Sequence, residues 1–139
     1  MTETHGSNRL TVLLPDEHDV GWHENVRQLL RPQGVETVLA RTGREALEMI
    51  EAGGVHLAVL DVQMPQLGGL QVVRLMREHG DKATPAILLA DQLSNHLLHE
   101  ALGMRVFSVL GKPVDLNLLL DAMARVLRRH YQSRWPGEQ

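Results

Sequence analysis

The sequence predicts a doubly wound α/β fold: five parallel strands in the order 2-1-3-4-5, flanked by five helices. Two observations point there. Short apolar runs alternate with stretches of helical periodicity, five times along the chain. The runs are continuously apolar, as expected of strands covered on both faces of a parallel sheet. A length of 139 residues then supplies one core and not two. In this strand order the topological switch falls between strands one and three, and ligands bind there, at the carboxyl edge.

Taken in order, Leu10-Thr11-Val12-Leu13-Leu14 is the first strand, stopped by Pro15, with polar cap chemistry over Asp16 to Asp19. Val20, Val26, Leu29 and Leu30 recur at helical spacing until Pro32 and Gly34 break the pattern. Val35 to Leu39 is the second strand. Thr42 is a possible N-cap for a helix carrying Ala46, Leu47, Met49 and Ile50, ended by Gly53-Gly54. The run Leu57-Ala58-Val59-Leu60 ends on Asp61. Met64-Pro65 and Gly68-Gly69 mark a loop, and Leu70 to His79 is a helix with Val73, Leu75 and Met76 as its stripe. Pro85 precedes the strand Ala86 to Leu89, and Leu93 to Leu102 reads as a helix. Val106 to Leu110 is the fifth strand, leaving through Gly111-Lys112-Pro113. Leu116, Leu119, Leu120, Met123, Val126 and Leu127 give the longest helix. Residues 1–8 read as a flexible start, 9–129 as the domain, and 130–139 as a basic tail that frays.

Composition narrows the function. Without cysteine there are no disulfides, no thiolate catalysis and no cysteine-type zinc site. Four aromatic residues and a net charge of -3 give no stacking platform or broad basic face for nucleic acid. No apolar run approaches the roughly 20 residues a membrane span needs, and no export signal opens the chain. A cytoplasmic protein binding neither nucleic acid nor membrane is the expectation.

The carboxyl edge gathers Asp16 and Glu17 after strand one, Asp61 after strand three and Lys112 after strand five. Crowded carboxylates repel unless a cation separates them, and oxygen ligands favour a hard ion such as Mg²⁺. Asp61 is a candidate nucleophile, because carboxylates accept phosphoryl groups as acyl phosphates. Lys112 is a compact charge suited to a phosphoryl group. It is one of only two lysines, with Lys82, among 14 basic residues.

The run Asp61-Val62-Gln63-Met64-Pro65-Gln66-Leu67-Gly68-Gly69 resembles the phosphoacceptor segment of response regulator receiver domains, the CheY-like family of two-component systems. Lys112-Pro113 resembles that family's Lys-Pro pair, Pro15-Asp16-Glu17 its acidic cluster, and Pro85-Ala86-Ile87-Leu88-Leu89 its fourth strand. The resemblance runs from about Arg9 to Arg129. It implies that Asp61 takes a phosphoryl group from a histidine kinase or phosphotransfer protein and that Lys112 pairs with its oxygens. Mg²⁺ would be held by Asp16, Asp61 and the Gln63 backbone carbonyl, with Glu17 as a further carboxylate. Output would pass to a downstream protein, since the chain ends about ten residues beyond its last helix. The face of helix four, strand five and helix five would be the dimer surface.

Four positions depart from the family pattern. Pro15 stands where a first acid is usual. Ala90 replaces the Thr or Ser whose hydroxyl meets the phosphoryl group. Asp91 replaces a small residue, and its charge would repel the incoming dianion unless it faces solvent or caps the next helix. Val109 stands where a switch Tyr or Phe is usual; Phe107, on the same strand face by alternation, is either its substitute or core packing. These departures support an alternative, a protein-binding module with this fold and no phosphoryl cycle. A phosphohydrolase would want an acid where Gln63 stands, and a flavodoxin-type binder would not place Asp16, Glu17 and Asp19 at its phosphate loop. His18 and His23 lie near the acidic loop as modulators. His96 and His99 share a helix face without a third ligand and read as solvated.

Overall fold

A computed structural model describes residues 9–16, 21–81 and 83–131. Its elements are β1 (Leu10–Pro15), α1 (Trp22–Leu30), a 3-10 turn (Arg31–Gln33), β2 (Val35–Ala40), α2 (Gly43–Ala52), β3 (Leu57–Asp61), α3 (Gly69–Glu78), β4 (Ala86–Ala90), α4 (Asn95–Gly103), β5 (Ser108–Gly111) and α5 (Leu116–Tyr131). All strands are parallel, in the order β2-β1-β3-β4-β5. This is the expected architecture. Glu17 and Val20, together with the tail beyond Tyr131, lie outside the described residues.

The two-residue period of the strands divides the core into two layers. Leu10, Val12, Leu14, Leu57, Val59, Ile87 and Leu89 face α1 and α5, meeting Trp22, Val26, Leu30, Leu119, Met123, Val126 and Leu127. Leu13, Ala58, Leu60, Ala86 and Leu88 face the other way, against Ala46, Ile50, Val72, Val73, Met76 and Ala101 of α2, α3 and α4. β3 and β4 are therefore apolar on both faces, which accounts for their unbroken apolar runs, while β1 carries one half-buried polar residue, Thr11. Capping sets two helix starts. The Thr42 hydroxyl accepts the Glu45 amide at 3.0 Å while Glu45 accepts the Arg41 amide at 2.7 Å, and Ser94 accepts the Leu97 amide at 3.1 Å. Each such cap contributes about 1 kcal/mol.

Several boundaries shift by a residue or two, α4 starting at Asn95 rather than Leu93, and three of the differences have a clear physical reason. Pro15 does not stop β1 short but is its last residue, in register with Ala40. The last helix continues through His130 and Tyr131, and the Tyr131 ring meets His56 edge-on at 5.1 Å. The fifth strand begins at Ser108 rather than Val106, because the preceding residues finish α4. Arg105 takes a left-handed conformation (φ 59°), and the Val106 amide reaches back to the Ala101 carbonyl at 3.0 Å. That six-to-one bond is the helix-terminating arrangement usually built on glycine. Val106 is apolar because it packs, while its backbone caps a helix.

The turn between α3 and β4 is held by charge. Arg77 donates to the carbonyls of Met104, Asp81 and Thr84, at 3.1, 3.3 and 2.9 Å. Burial lowers the guanidinium pKa and Arg105 adds to that, against the pull of Asp81. Burial would raise the Asp81 carboxyl, but hydrogen bonds from Thr84 and Ala83 and the charge of Arg77 bring it below its ordinary value. A depressed carboxyl contributes stability that is present above its unfolded value, about 3.9, and lost as pH falls through the lower folded value. Melting curves of wild type and Asp81→Asn should therefore lie apart near neutral pH and converge on acidification below about pH 4. A gap independent of pH would contradict this role for Asp81.

Candidate functional site

The site lies where β3, β4 and β5 end. Asp61 closes β3 and is 5% exposed, the one charged residue in the buried core among the described residues. Its carboxylate takes donors on both oxygens. Oδ1 accepts the Gln63 amide at 2.7 Å, and Oδ2 accepts Lys112 Nζ at 2.5 Å. Lys112 comes from the neighbouring rim because its own amide continues the β5 ladder, donating to the Ala90 carbonyl at 2.9 Å. The Lys112–Pro113 peptide is cis. The ammonium also stands 3.6 Å from Asp91 Oδ1.

Asp16 arrives from β1. Its amide donates to the Ala40 carbonyl at 2.9 Å, and because β1 pairs parallel to β3, Asp16 follows β1 at the same sheet edge at which Asp61 ends β3. The Asp16 carboxylate stands 3.5 Å from His23 Nε2. Among the described residues, no three histidine or acidic side chains converge as a ready-made metal cage. Glu17 and His18 lie outside the described residues.

Ala90 is 2% exposed and presents a methyl group. Val109 and Phe107 do not share a face, contrary to the alternation reading. Phe107 packs on the α1–α5 layer, with the Arg125 guanidinium 5.8 Å from its ring centre, while Val109 packs on the opposite layer. Regular alternation starts only at Ser108, so a period-two argument does not reach back to Phe107.

One determinant of the site escaped sequence reading. The loop carrying Gln63 to Gly68 leans on the start of α2, where the Gly43 amide donates to the Pro65 carbonyl at 3.0 Å. A Cβ on Gly43 would stand 1.8 Å from the Leu67 carbonyl oxygen. Gly69 meets the Asp61 carbonyl in the same way, at 2.7 Å, and Gly68 the Val62 carbonyl, at 2.4 Å. Three glycines thus let backbone pack on backbone around Asp61. The dipeptide Thr42-Gly43 signals only a helix start; the contact itself is tertiary.

The sequence profile of the response regulator receiver domain matches residues 12–124. The chain belongs to that family. It is 36% identical over 128 residues to the response regulator MprA of Mycolicibacterium vanbaalenii, covering 91% of this chain and 54% of that protein. It is 38% identical over 100 residues to the CAI-1 autoinducer sensor kinase/phosphatase CqsS of Vibrio cholerae, covering 69% of this chain and 14% of that protein. This receiver domain therefore spans about half the length of MprA, and far less of CqsS. Among solved structures, a Francisella response regulator 1452 receiver domain superposes with TM-score 0.75 at 26% identity, covering 87% of this chain and 98% of the other. The chemotaxis response regulator CheY4 of Vibrio cholerae gives TM-score 0.72 at 28% identity, covering 86% and 99%. This chain is thus a response regulator receiver domain, a signalling domain of two-component systems. No helix among the described residues is long and apolar enough to cross a membrane.

Proposed function

We propose that this receiver domain accepts a phosphoryl group on Asp61 from a phosphohistidine of a histidine kinase or phosphotransfer protein. The observation that carries the reading is the Asp61 carboxylate, buried and held by Lys112 on one oxygen and the Gln63 amide on the other. A carboxylate oxygen of Asp61 attacks phosphorus in line. The bond from phosphorus to the donor imidazole breaks, and the leaving nitrogen keeps the electron pair. The product is an acyl phosphate. Lys112 balances charge on the arriving oxygens, and the Gln63 amide fixes the rotamer of the attacking group.

A magnesium ion fits this donor set. Asp16 and Asp61 supply hard oxygens, the Gln63 carbonyl and Glu17 complete the proposed ligands, and Mg²⁺ needs only one or two carboxylates, keeping its waters. When bound, it neutralises charge that Asp61 and the phosphoryl group would otherwise set against each other. With Pro15 in place of a further acid, the site is expected to bind the ion weakly.

Output is proposed to pass through a protein partner or a second copy at the face of α4, β5 and α5, where Leu98, Leu102 and Leu118 are exposed. Substituting Arg128 and Arg129 of α5 with Gln should lower the average mass in sedimentation. An unchanged mass would count against a dimer there.

The phosphoryl step is tested with phosphoramidate, a small donor carrying a phosphorus–nitrogen bond, and Mg²⁺. Borohydride should then reduce the acyl phosphate and leave homoserine at position 61, found by peptide mapping. Unmodified Asp61 after this treatment, in a protein that melts cooperatively, would favour the second reading, a binding module without a phosphoryl cycle. The specific observation behind that second reading is the buried methyl of Ala90.

A further inference from the structure

Among the described residues, one ammonium stands near two carboxylates of different exposure. Lys112 Nζ lies 2.5 Å from Asp61 Oδ2, whose side chain is 7% exposed, and 3.6 Å from Asp91 Oδ1, whose side chain is 52% exposed. Asp91 is the first residue after β4. Gln92 and Leu93 then lead to Ser94, the cap of α4. Leu93 lies over the end of β5, because a Cβ on Gly111 would come within 3.5 Å of its Cδ1. Residues 91–94 are thus tied to Lys112 by charge at one end and run into a helix cap at the other. The neighbouring Ala90 offers no hydroxyl.

We propose that Asp91 positions Lys112 in the unmodified domain, and that a phosphoryl group on Asp61 displaces Asp91 and moves residues 91–94 by charge repulsion. The second half rests on the phosphoacceptor reading above. Phosphorylation replaces one negative charge on Asp61 by about two and adds strong acceptor oxygens. Lys112 then has a better partner than Asp91, and Asp91 faces a dianion across the same ammonium. Being half exposed, Asp91 can turn into water at small cost. Its pairing with Lys112 is weak, as exposed pairs are, and a releasable contact has to be weak. Where a hydroxyl at position 90 would be drawn inward, this chain uses a carboxylate that is pushed outward.

The test exploits the two lysines. Lysine-selective isotopic labelling leaves two side-chain nitrogen signals, Lys82 and Lys112. In Asp91→Asn the Lys112 signal should move while that of Lys82 stays, and Asp91→Glu should retain the wild-type position. After acetyl phosphate and Mg²⁺, with occupancy read by intact mass, the backbone amides of Gln92, Leu93 and Ser94 should shift in wild type and Asp91→Glu, and far less in Asp91→Asn. Uptake by Asp91→Asn should be about two- to fivefold faster, since one repelling charge is gone. A Lys112 signal unmoved in Asp91→Asn would overturn the pairing. Equal amide shifts in Asp91→Asn and wild type would overturn the relay. No adduct on any of the proteins would overturn the phosphoacceptor reading, and the relay with it, while the Lys112 signal of unmodified protein still decides the pairing.

Discussion

Gly43→Ala is expected to destabilise the domain by about 2 to 3 kcal/mol, the range in which forcing extra atoms into a packed site falls. The added methyl would stand 1.8 Å from the Leu67 carbonyl oxygen and 2.6 Å from its carbonyl carbon, and these are backbone atoms that cannot swing away. Relief requires the loop from Gln63 to Gly68 to lift off α2, with loss of the 3.0 Å bond from the Gly43 amide to the Pro65 carbonyl. Because Gln63 holds Asp61 Oδ1, the lift also loosens the carboxylate. Alanine's better helix propensity, about 1 kcal/mol at most, does not offset this. Gly103→Ala is the control: a Cβ there meets nothing within 4 Å and the residue ends α4, so it should leave stability unchanged or raise it by up to about 1 kcal/mol. Urea denaturation of both variants gives the comparison. A Gly43→Ala midpoint equal to wild type would contradict the packing argument.

Lys112→Met should cost about 2 kcal/mol, because it leaves the Asp61 carboxylate buried without its cation. Removing one partner of a buried pair is worse than removing both, so the double variant with Asp61→Asn should recover much of the loss. The Lys112 side chain is 20% exposed, which keeps the figure below that of a fully buried pair. Phosphoryl uptake should fall in the single variant even where it remains folded, as the arriving oxygens lose their compensating charge. Thermal melts and uptake from acetyl phosphate separate the two effects. Lys112→Met as stable as wild type, with unchanged uptake, would remove Lys112 from the site.

Much of this was legible in the sequence, for a physical reason. Leu57 to Leu60 and Ala86 to Leu89 are apolar without interruption because they are buried on both faces, and only a strand in the middle of a doubly covered sheet demands that of so short a run. Strand order and strand ends then bring Asp61 and Lys112 to one rim before any side chain is placed. What was hidden is tertiary. Gly43 reads as the residue after a cap, and only the approach of the Leu67 carbonyl reveals why it has no side chain. Val106 reads as strand because it is apolar, although its amide completes α4 behind a left-handed Arg105. Asp91 reads as a charge beside the phosphoryl position. Its 3.6 Å contact with Lys112 depends on a loop conformation that no periodicity encodes.

The central claim is that Asp61 is the phosphoacceptor, and intact-protein mass spectrometry tests it most directly. Wild type and Asp61→Asn are incubated with acetyl phosphate and Mg²⁺, and each is weighed whole. A single added phosphoryl mass on wild type, absent from Asp61→Asn, is the expected result. An adduct of equal extent on Asp61→Asn, or none on wild type with either acetyl phosphate or phosphoramidate, would contradict it.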